Sequence, residues 1–513
     1  MTLAPQHVDW EAIRWSLQST HAIRQRGYVD ELVGVVIMAR GPGGAIGDLV
    51  YIHPAVGQEP IPAEIVGFRS GRVILMAFGE MTGIRPGCEV ISSGGPLQIK
   101  CGEGLLGRIL DGMGCPIDDK GPVKTNSLLS IYNRPPSAIN RQRIKEPLST
   151  GVKVIDSILS WGKGQRIGVF AGSGVGKSTL MGMIARSTEA DVNVIALIGE
   201  RGREVREFIE KDLGEEGLKR SVLVVATGDN PPLLRVKGAL AAMTIAEYFR
   251  DQGKNVLFMM DSVTRMAMSQ REVGLASGEP PTTRGYTPSV FSMLPSFLER
   301  AGTTPGEGTI TALITVLVEG DDMNEPIADA VRGILDGHIV LSRDLAHRNH
   351  YPSVDILQSV SRAMVDIVPE DHFTAARRIS EITSVFRDAE DLINIGAYQR
   401  GSNPEIDLAI DMIPTINAFL KQKINEALPY EESLGQLMKI FAQCAPRKAA
   451  PRPRPSQPKQ GQQQQLQQQQ GQQQGQQQQL QQQQGQQQQL QQQQGQQQQR
   501  QQQGQPNQPG VRR

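Results

Sequence analysis

Residues 169–180 read VFAGSGVGKSTL, and the reading of this stretch decides the fold. An apolar run ends in a glycine-rich turn, and the turn closes on Lys177 and Ser178 ahead of a helical pattern. In a strand–turn–helix setting, successive backbone N–H groups of such a turn point inward and hold phosphate oxygens. Glycine serves where φ must be positive or where the backbone touches the ligand. Gly172, Ser173, Gly174, Val175, Gly176, Lys177, Ser178 and Thr179 are therefore the expected phosphate-binding residues. Lys177 places a point charge on the outer phosphates, and the Ser178 hydroxyl is the expected Mg²⁺ ligand. The first position of the usual G-x-x-x-x-G-K-[ST] pattern is Ala171 here, and a small residue suffices there if φ is negative.

Five apolar runs surround this turn: QRIGVFA, VNVIALIGE, SVLVVATGD, NVLFMMD and TALITVLVE. Near-continuous apolar character predicts strands buried on both faces, as in a parallel sheet covered by helices. The runs end at or beside Gly172, Glu200, Asp229, Asp261 and Glu319. The carboxyl ends of parallel strands are where such sheets bind ligands. Asp261, closing NVLFMMD, has the Walker-B position and is expected to hold Mg²⁺ through water. Glu200 is placed to polarise a water in line with a γ-phosphate, and Arg201 to contact that phosphate. Arg206 and Glu207 read as a solvated charge cluster opening a helix.

The texture changes along the chain. Residues 1–27 are polar with embedded aromatics, and Trp10, Ile13 and Leu17 fall at helical spacing. This arm packs on its own domain or docks another protein. Residues 28–95 hold short β-rich runs between Gly and Pro turns, which predicts a small closed barrel. Residues 96–375 form the strand–helix alternation, and 376–442 read as helices ending in the amphipathic YEESLGQLMKIF. From 443 to 513 a Pro/Arg stretch gives way to repeats of GQQQQLQQQQ, too poor in apolar residues to bury a core, so disorder is expected.

Net charge is zero over 513 residues, but it is unevenly spread. Eight of the 53 Lys and Arg lie from residue 443 onward, where there is no Asp or Glu. The remaining 45 face all 53 acidic residues, which leaves the body at −8. An acidic body argues against general nucleic-acid binding, and the barrel segment lacks a basic face interleaved with aromatics. Cys88, Cys101, Cys115 and Cys444 are scattered without zinc spacing, a pattern that fits a reducing compartment. His347 and His350 read as turn residues. There is no signal-peptide core and no membrane-length apolar run, so any membrane role is expected to come through partners.

Three longer motifs carry a resemblance. GERGREVREFIE, the run DSVTRMAMSQREVGLASGEPPTTRGYTPSVFSMLPSFLERAG, and DGHIVLSRDLAHRNHYPSVDILQSVSR occur in this order. Together they resemble the type III protein-export ATPases, relatives of the catalytic subunit of rotary ATP synthases. PSVDILQSVS at 352–361 fits that superfamily's P-x-x-D-x-x-x-S-x-S signature. The similarity covers residues 28–442, and AEDLINIGAYQRGSNPEID leans toward the flagellar branch rather than the injectisome branch.

The resemblance implies a RecA-like P-loop core after an N-terminal β-barrel and before a C-terminal helical domain. ATP and Mg²⁺ are the implied ligands. Tyr351 matches the position whose ring stacks on adenine, and Arg362 matches a finger that reaches the γ-phosphate of a neighbouring subunit. The loop 274–286 resembles the family's pore-facing segment. The implied assembly is a homohexamer. The implied partners are a regulatory stalk protein at the N-terminal arm, a membrane export gate, and export substrates with their chaperones. The implied place is the cytoplasm, peripheral to the inner membrane. A proton-translocating synthase subunit and a ring-shaped transcription terminator share the core; GEPPTTRGYTPSVF argues against the first and the barrel's composition against the second.

Overall fold

The structure, a computed structural model, describes residues 25–54, 57–318, 320 and 322–444. The expected helical arm, apart from its last three residues, lies outside the described residues, as do Glu319 and the tail from 445.

Six strands close an antiparallel barrel: β1 Arg26–Val33, β2 Val36–Arg40, β3 Asp48–His53, β4 Ile61–Arg69, β5 Arg72–Ala77 and β6 Glu89–Pro96. Their order is β1-β2-β5-β4-β3-β6, and β6 pairs back with β1. Alternate side chains fill the interior, among them Ile37, Val50, Ile52, Ile65, Leu75 and Val90, all fully buried. Closure removes the unpaired edges that an open sheet of this size would expose. The β-rich run VGVVIMA, residues 33–39, contains the β1–β2 turn, where Gly34 has φ 60°.

The second layer system is a parallel sheet. Its strands are β7 Ile109–Asp111, β8 Arg166–Ala171, β9 Val192–Ile198, β10 Ser221–Ala226, β11 Asn255–Asp261, β12 Thr309–Leu317, β13 Gly337–Leu341 and β14 Val360–Ser361. The order is β14-β13-β8-β12-β11-β9-β10-β7, and β14 alone in this line runs antiparallel. The five apolar runs are the five strands β8 to β12. Their two faces serve two separate cores. In β9, Val194, Ala196 and Ile198 pack on one side, and Ile195 and Leu197 on the other. This two-sided burial is why the run is apolar throughout rather than alternating. β7 is too short to show periodicity and pairs only because the sheet offers it an edge.

Helices cover both faces. Those that bear on the site are α1 Lys177–Ser187, α2 Gly202–Glu207, α3 Pro232–Asp251 and α4 Val263–Ser277. The small residues Ala239, Ala241, Ala242 and Ala246 let α3 lie close on the sheet, and each is fully buried. The C-terminal part is helical: α5 Glu370–Asn394, α6 Pro404–Leu420 and α7 Tyr430–Gln443. The expected start at 376 falls inside α5. The helix starts earlier because Pro369 stands at its N-cap and Glu370 and Asp371 fill its first turn, favourable at the positive end of the dipole. Among the described residues no helix is long and apolar enough to cross a membrane.

A buried ion pair fastens the linker between barrel and sheet. Arg300 donates to both Glu247 oxygens (2.8 and 2.7 Å), to the Ile131 carbonyl (2.9 Å) and to the Thr244 hydroxyl (2.9 Å). Asn133 adds a bond to Glu247 at 2.6 Å. The two charged side chains are 2% and 4% exposed. Removing one member strands the other charge in the interior. Arg300→Leu is therefore expected to destabilise the sheet domain by ~3–5 kcal/mol. A guanidinium midpoint shifted by less than the equivalent of ~1 kcal/mol would show that the pair is not the fastening.

Candidate active site

Parallel strands present their carboxyl ends to one edge, and the turns after β8, β9, β11 and β12 meet there. After Ala171 the chain reverses through Gly174 and Gly176 at φ 78° and 95°, a conformation that any L side chain strains to adopt. Ala171 itself ends β8 and is not among the positive-φ residues. Helix α1 begins at Lys177, so its free N–H groups and positive dipole end face the turn.

A cavity of about 620 Å³ opens over this turn. Gly172, Ser173, Gly174, Gly176, Lys177, Ser178 and Thr179 line it, as do Glu200 and Arg201 from the end of β9. Val175 does not: its side chain is 2% exposed and packs into the core, while its carbonyl accepts from Ser353 Oγ at 2.6 Å. The phosphate turn is thus anchored from behind by the P-x-x-D signature.

Lys177 is the electrostatic centre. Its Nζ lies 2.5 Å from Asp261 Oδ1 and 3.7 Å from Glu200 Oε1. Asp261 also accepts from the buried Thr315 hydroxyl at 2.8 Å. Glu200 Oε1 is buried and has no hydrogen bond. Burial first, and then the nearby charge of Asp261, push the Glu200 carboxyl up to about 7, against the opposing pull of Lys177. Arg201 stands 80% exposed and pairs with Glu204 at 2.8 Å. Arg206 and Glu207 pair with Glu210 and Arg203 on the outer face of the helical stretch, as solvated charges do.

Two sequence-derived residues stand apart from the cavity. Tyr351 is 42% exposed, and a Cβ on Gly176 would come within 3.6 Å of its ring, so the ring lies along the rim of the turn. Arg362 is exposed beyond β14, its N–H donating to the Asp336 carbonyl at 3.0 Å, and it does not line the cavity. His347 closes a short helix and His350 is buried in the turn before Tyr351. The described residues hold no cluster of three potential metal ligands drawn from His, Cys, Asp and Glu.

Sequence reasoning missed three contributors. Arg265, on the first turn of α4, lines the cavity with its Nε buried and unpartnered. Its signal was present: it follows Asp261 by four residues, where a helix leaving the strand end must pass the site. Glu204 and Arg343 also line the cavity; nothing in their local patterns distinguishes them from surface charges.

The donor set suits a polyphosphate with a divalent cation. Backbone N–H groups, Lys177, Arg201 and Arg265 answer negative charge; Ser178 and Asp261 supply hard oxygens. The orphaned Glu200 oxygen and the lysine drawn onto two carboxylates are what such a ligand would rearrange.

A parallel sheet with a glycine-rich phosphate turn, a strand-end Asp and a strand-end Glu defines a P-loop nucleotide-binding ATPase. Comparison with known proteins narrows the class. The ATP synthase alpha/beta family nucleotide-binding domain matches residues 151–361, that family's beta-barrel domain matches 31–94, and the T3SS EscN ATPase C-terminal domain matches 368–439. The flagellum-specific ATP synthase of Bacillus subtilis (strain 168) is 56% identical over 426 residues, covering 83% of this chain and 97% of that one. The type 3 secretion system ATPase of Xanthomonas euvesicatoria is 48% identical over 418 residues, covering 81% and 94%. The assembled ATPase EscN of the enteropathogenic E. coli type III secretion system superposes with a TM-score of 0.77 at 46% identity, covering 81% of this chain and all of that one. EscN has also been solved in complex with its central stalk EscO, at a TM-score of 0.75. The chain belongs to the ATP synthase alpha/beta family, within its type III protein-export ATPases, and is an ATP-hydrolysing enzyme with that family's barrel, nucleotide-binding and C-terminal helical domains.

The Glu200 environment generates a pH prediction. A base acts ionised, so a carboxyl raised to about 7 loses activity as pH falls through that value. With magnesium in excess, kcat/KM for ATP is expected to drop about tenfold per unit below pH 7. A profile flat from pH 8 to 5.5 would remove Glu200 from that role.

Proposed function

We propose that this chain is the cytoplasmic ATPase of a flagellar type III export apparatus. It works as a homohexamer, peripheral to the inner membrane through the apparatus. There it unfolds or releases flagellar proteins, taken from their chaperones, for delivery to the export gate. The observation that carries the reading is an incompleteness. Within one subunit the cavity holds Lys177, Glu200, Arg201 and Arg265, while Arg362 lies exposed beyond the far sheet edge. A guanidinium so placed serves a second copy's site, and a ring gives every site its neighbour. The flagellar branch is favoured by the names of the relatives and by the stretch 389–407. The injectisome branch is the second reading, supported by the secretion-system relatives. A stalk protein at the N-terminal arm completes the assembly.

The roles follow from position. Lys177 and the turn's N–H groups hold the outer phosphates; Ser178 and Asp261 would hold Mg²⁺, which would supply neutralising charge to the phosphate oxygens. Glu200 orients a water and takes its proton, which its raised pKa permits near neutrality. Arg201 and Arg265 bring positive charge to the same cavity. Tyr351 stacks on adenine, and Arg362 answers charge on the phosphoryl held by the next subunit.

Lys177→Ala is expected to abolish hydrolysis. Arg362→Ala is expected to keep nucleotide binding and lose ~10³-fold or more in kcat. Mixing these two inactive variants should restore part of the activity, because some mixed interfaces pair an intact turn with an intact Arg362. No recovery in well-mixed rings would refute the shared site. Deleting the gene is expected to leave cells without filaments and with flagellar subunits retained inside; normal motility would overturn the flagellar reading.

A further inference from the structure

The segment 351–362 carries Tyr351 at its start and Arg362 at its end. Most of its anchors belong to the nucleotide-binding domain. Ser353 Oγ donates to the Val175 carbonyl (2.6 Å), Ser359 Oγ accepts from Val340 N (2.9 Å), and Ser361 Oγ donates to the Ser160 carbonyl (2.7 Å). Asp355 differs. Its Oδ1 accepts from the N–H groups of Leu357 (3.0 Å) and Gln358 (3.2 Å), which closes a local turn. The carboxylate is 4% exposed, so its charge needs an answer. That answer crosses a domain boundary: Arg387 Nη2, on helix α5, donates to Asp355 Oδ1 at 3.0 Å.

We infer that Arg387 is a positioning residue for ATP hydrolysis, holding the 351–362 segment through Asp355 so that Tyr351 meets the phosphate turn and Arg362 is presented at the subunit edge. The inference rests on the roles proposed above for Tyr351 and Arg362. Arg387 does not line the cavity, and its guanidinium is engaged by Asp355. Exposed ion pairs contribute little, but here one partner is buried and loses its counter-charge when the guanidinium goes. The segment can then settle differently at both ends. Because α5 opens the C-terminal helical domain, the setting of that domain becomes a determinant of turnover.

The test uses the full-length chain. Arg387→Met keeps the apolar stem and removes the charge. It is expected to lower kcat ~10-fold or more and to raise KM for ATP several-fold, as small misplacements do. Arg387→Lys should recover most of both, which a merely space-filling role would not explain. Arg378→Met removes another charge from α5, one that pairs with Glu405 and Glu381, and is expected to leave kcat and KM unchanged. Should Arg387→Met fail to fold, Asp355→Asn keeps the turn's acceptor oxygen and removes the charge; it should show the same kinetic shift. The Arg387→Met, Asp355→Asn pair should be no worse than either alone. Wild-type kinetics in Arg387→Met, equal losses in Arg378→Met, or additive losses in the pair would overturn the inference. Full activity in Arg362→Ala would instead sink the reading beneath it.

Discussion

Parallel registration of β8, β12, β11 and β9 is the constraint on which the rest depends. Ala171 stands opposite Leu317, and Leu197 opposite Asp261. With all four strands running the same way, every turn that follows them leaves at one edge. A phosphate turn, a Walker-B carboxylate and a strand-end glutamate become neighbours although Lys177 and Asp261 are 84 residues apart. An antiparallel arrangement would have sent half of these groups to the opposite edge.

Convergence has an electrostatic cost. Asp261 and Glu200 are largely removed from water, and each raises the free energy of the other's charge. Lys177 offsets part of this, and what remains, burial first and then the charge of Asp261, pushes the Glu200 carboxyl up to about 7. The site is a set of mutually strained charges with few internal partners. A polyphosphate and a cation would satisfy them together, so the geometry that costs stability is also the one suited to such a ligand.

Apolar packing joins the C-terminal helices to the sheet domain, where Ile379, Ile416 and Leu437 share a core with Val154 and Ile155, and polar joints supplement it on both sides. Buried Glu64 of β4 meets Lys237 of α3 at 2.7 Å, with Tyr132 of the linker donating to the same carboxylate at 3.0 Å. On the other side Gln422 donates its N–H to the Tyr351 carbonyl at 3.0 Å, and its side chain caps Lys153 N at 2.8 Å. Directional bonds of this kind fix an angle between domains that apolar packing alone leaves less defined.

The amino-acid sequence by itself determined the sheet, the barrel and the glycine-rich turn that lines the cavity. Two-sided burial writes continuous apolar runs, positive-φ turns demand glycine, and strand-end carboxylates announce themselves by position. Those are local signals, carried by neighbours in the chain. It did not place Arg265 in the cavity, nor show that Val175 faces the core, nor start α5 at Glu370. It could not link Asp355 to Arg387, or Ser353 to the carbonyl of Val175. These contacts join residues tens or hundreds of positions apart, and a side chain's partner across such a gap is set by how the layers pack. Only the tertiary structure decides which charges meet.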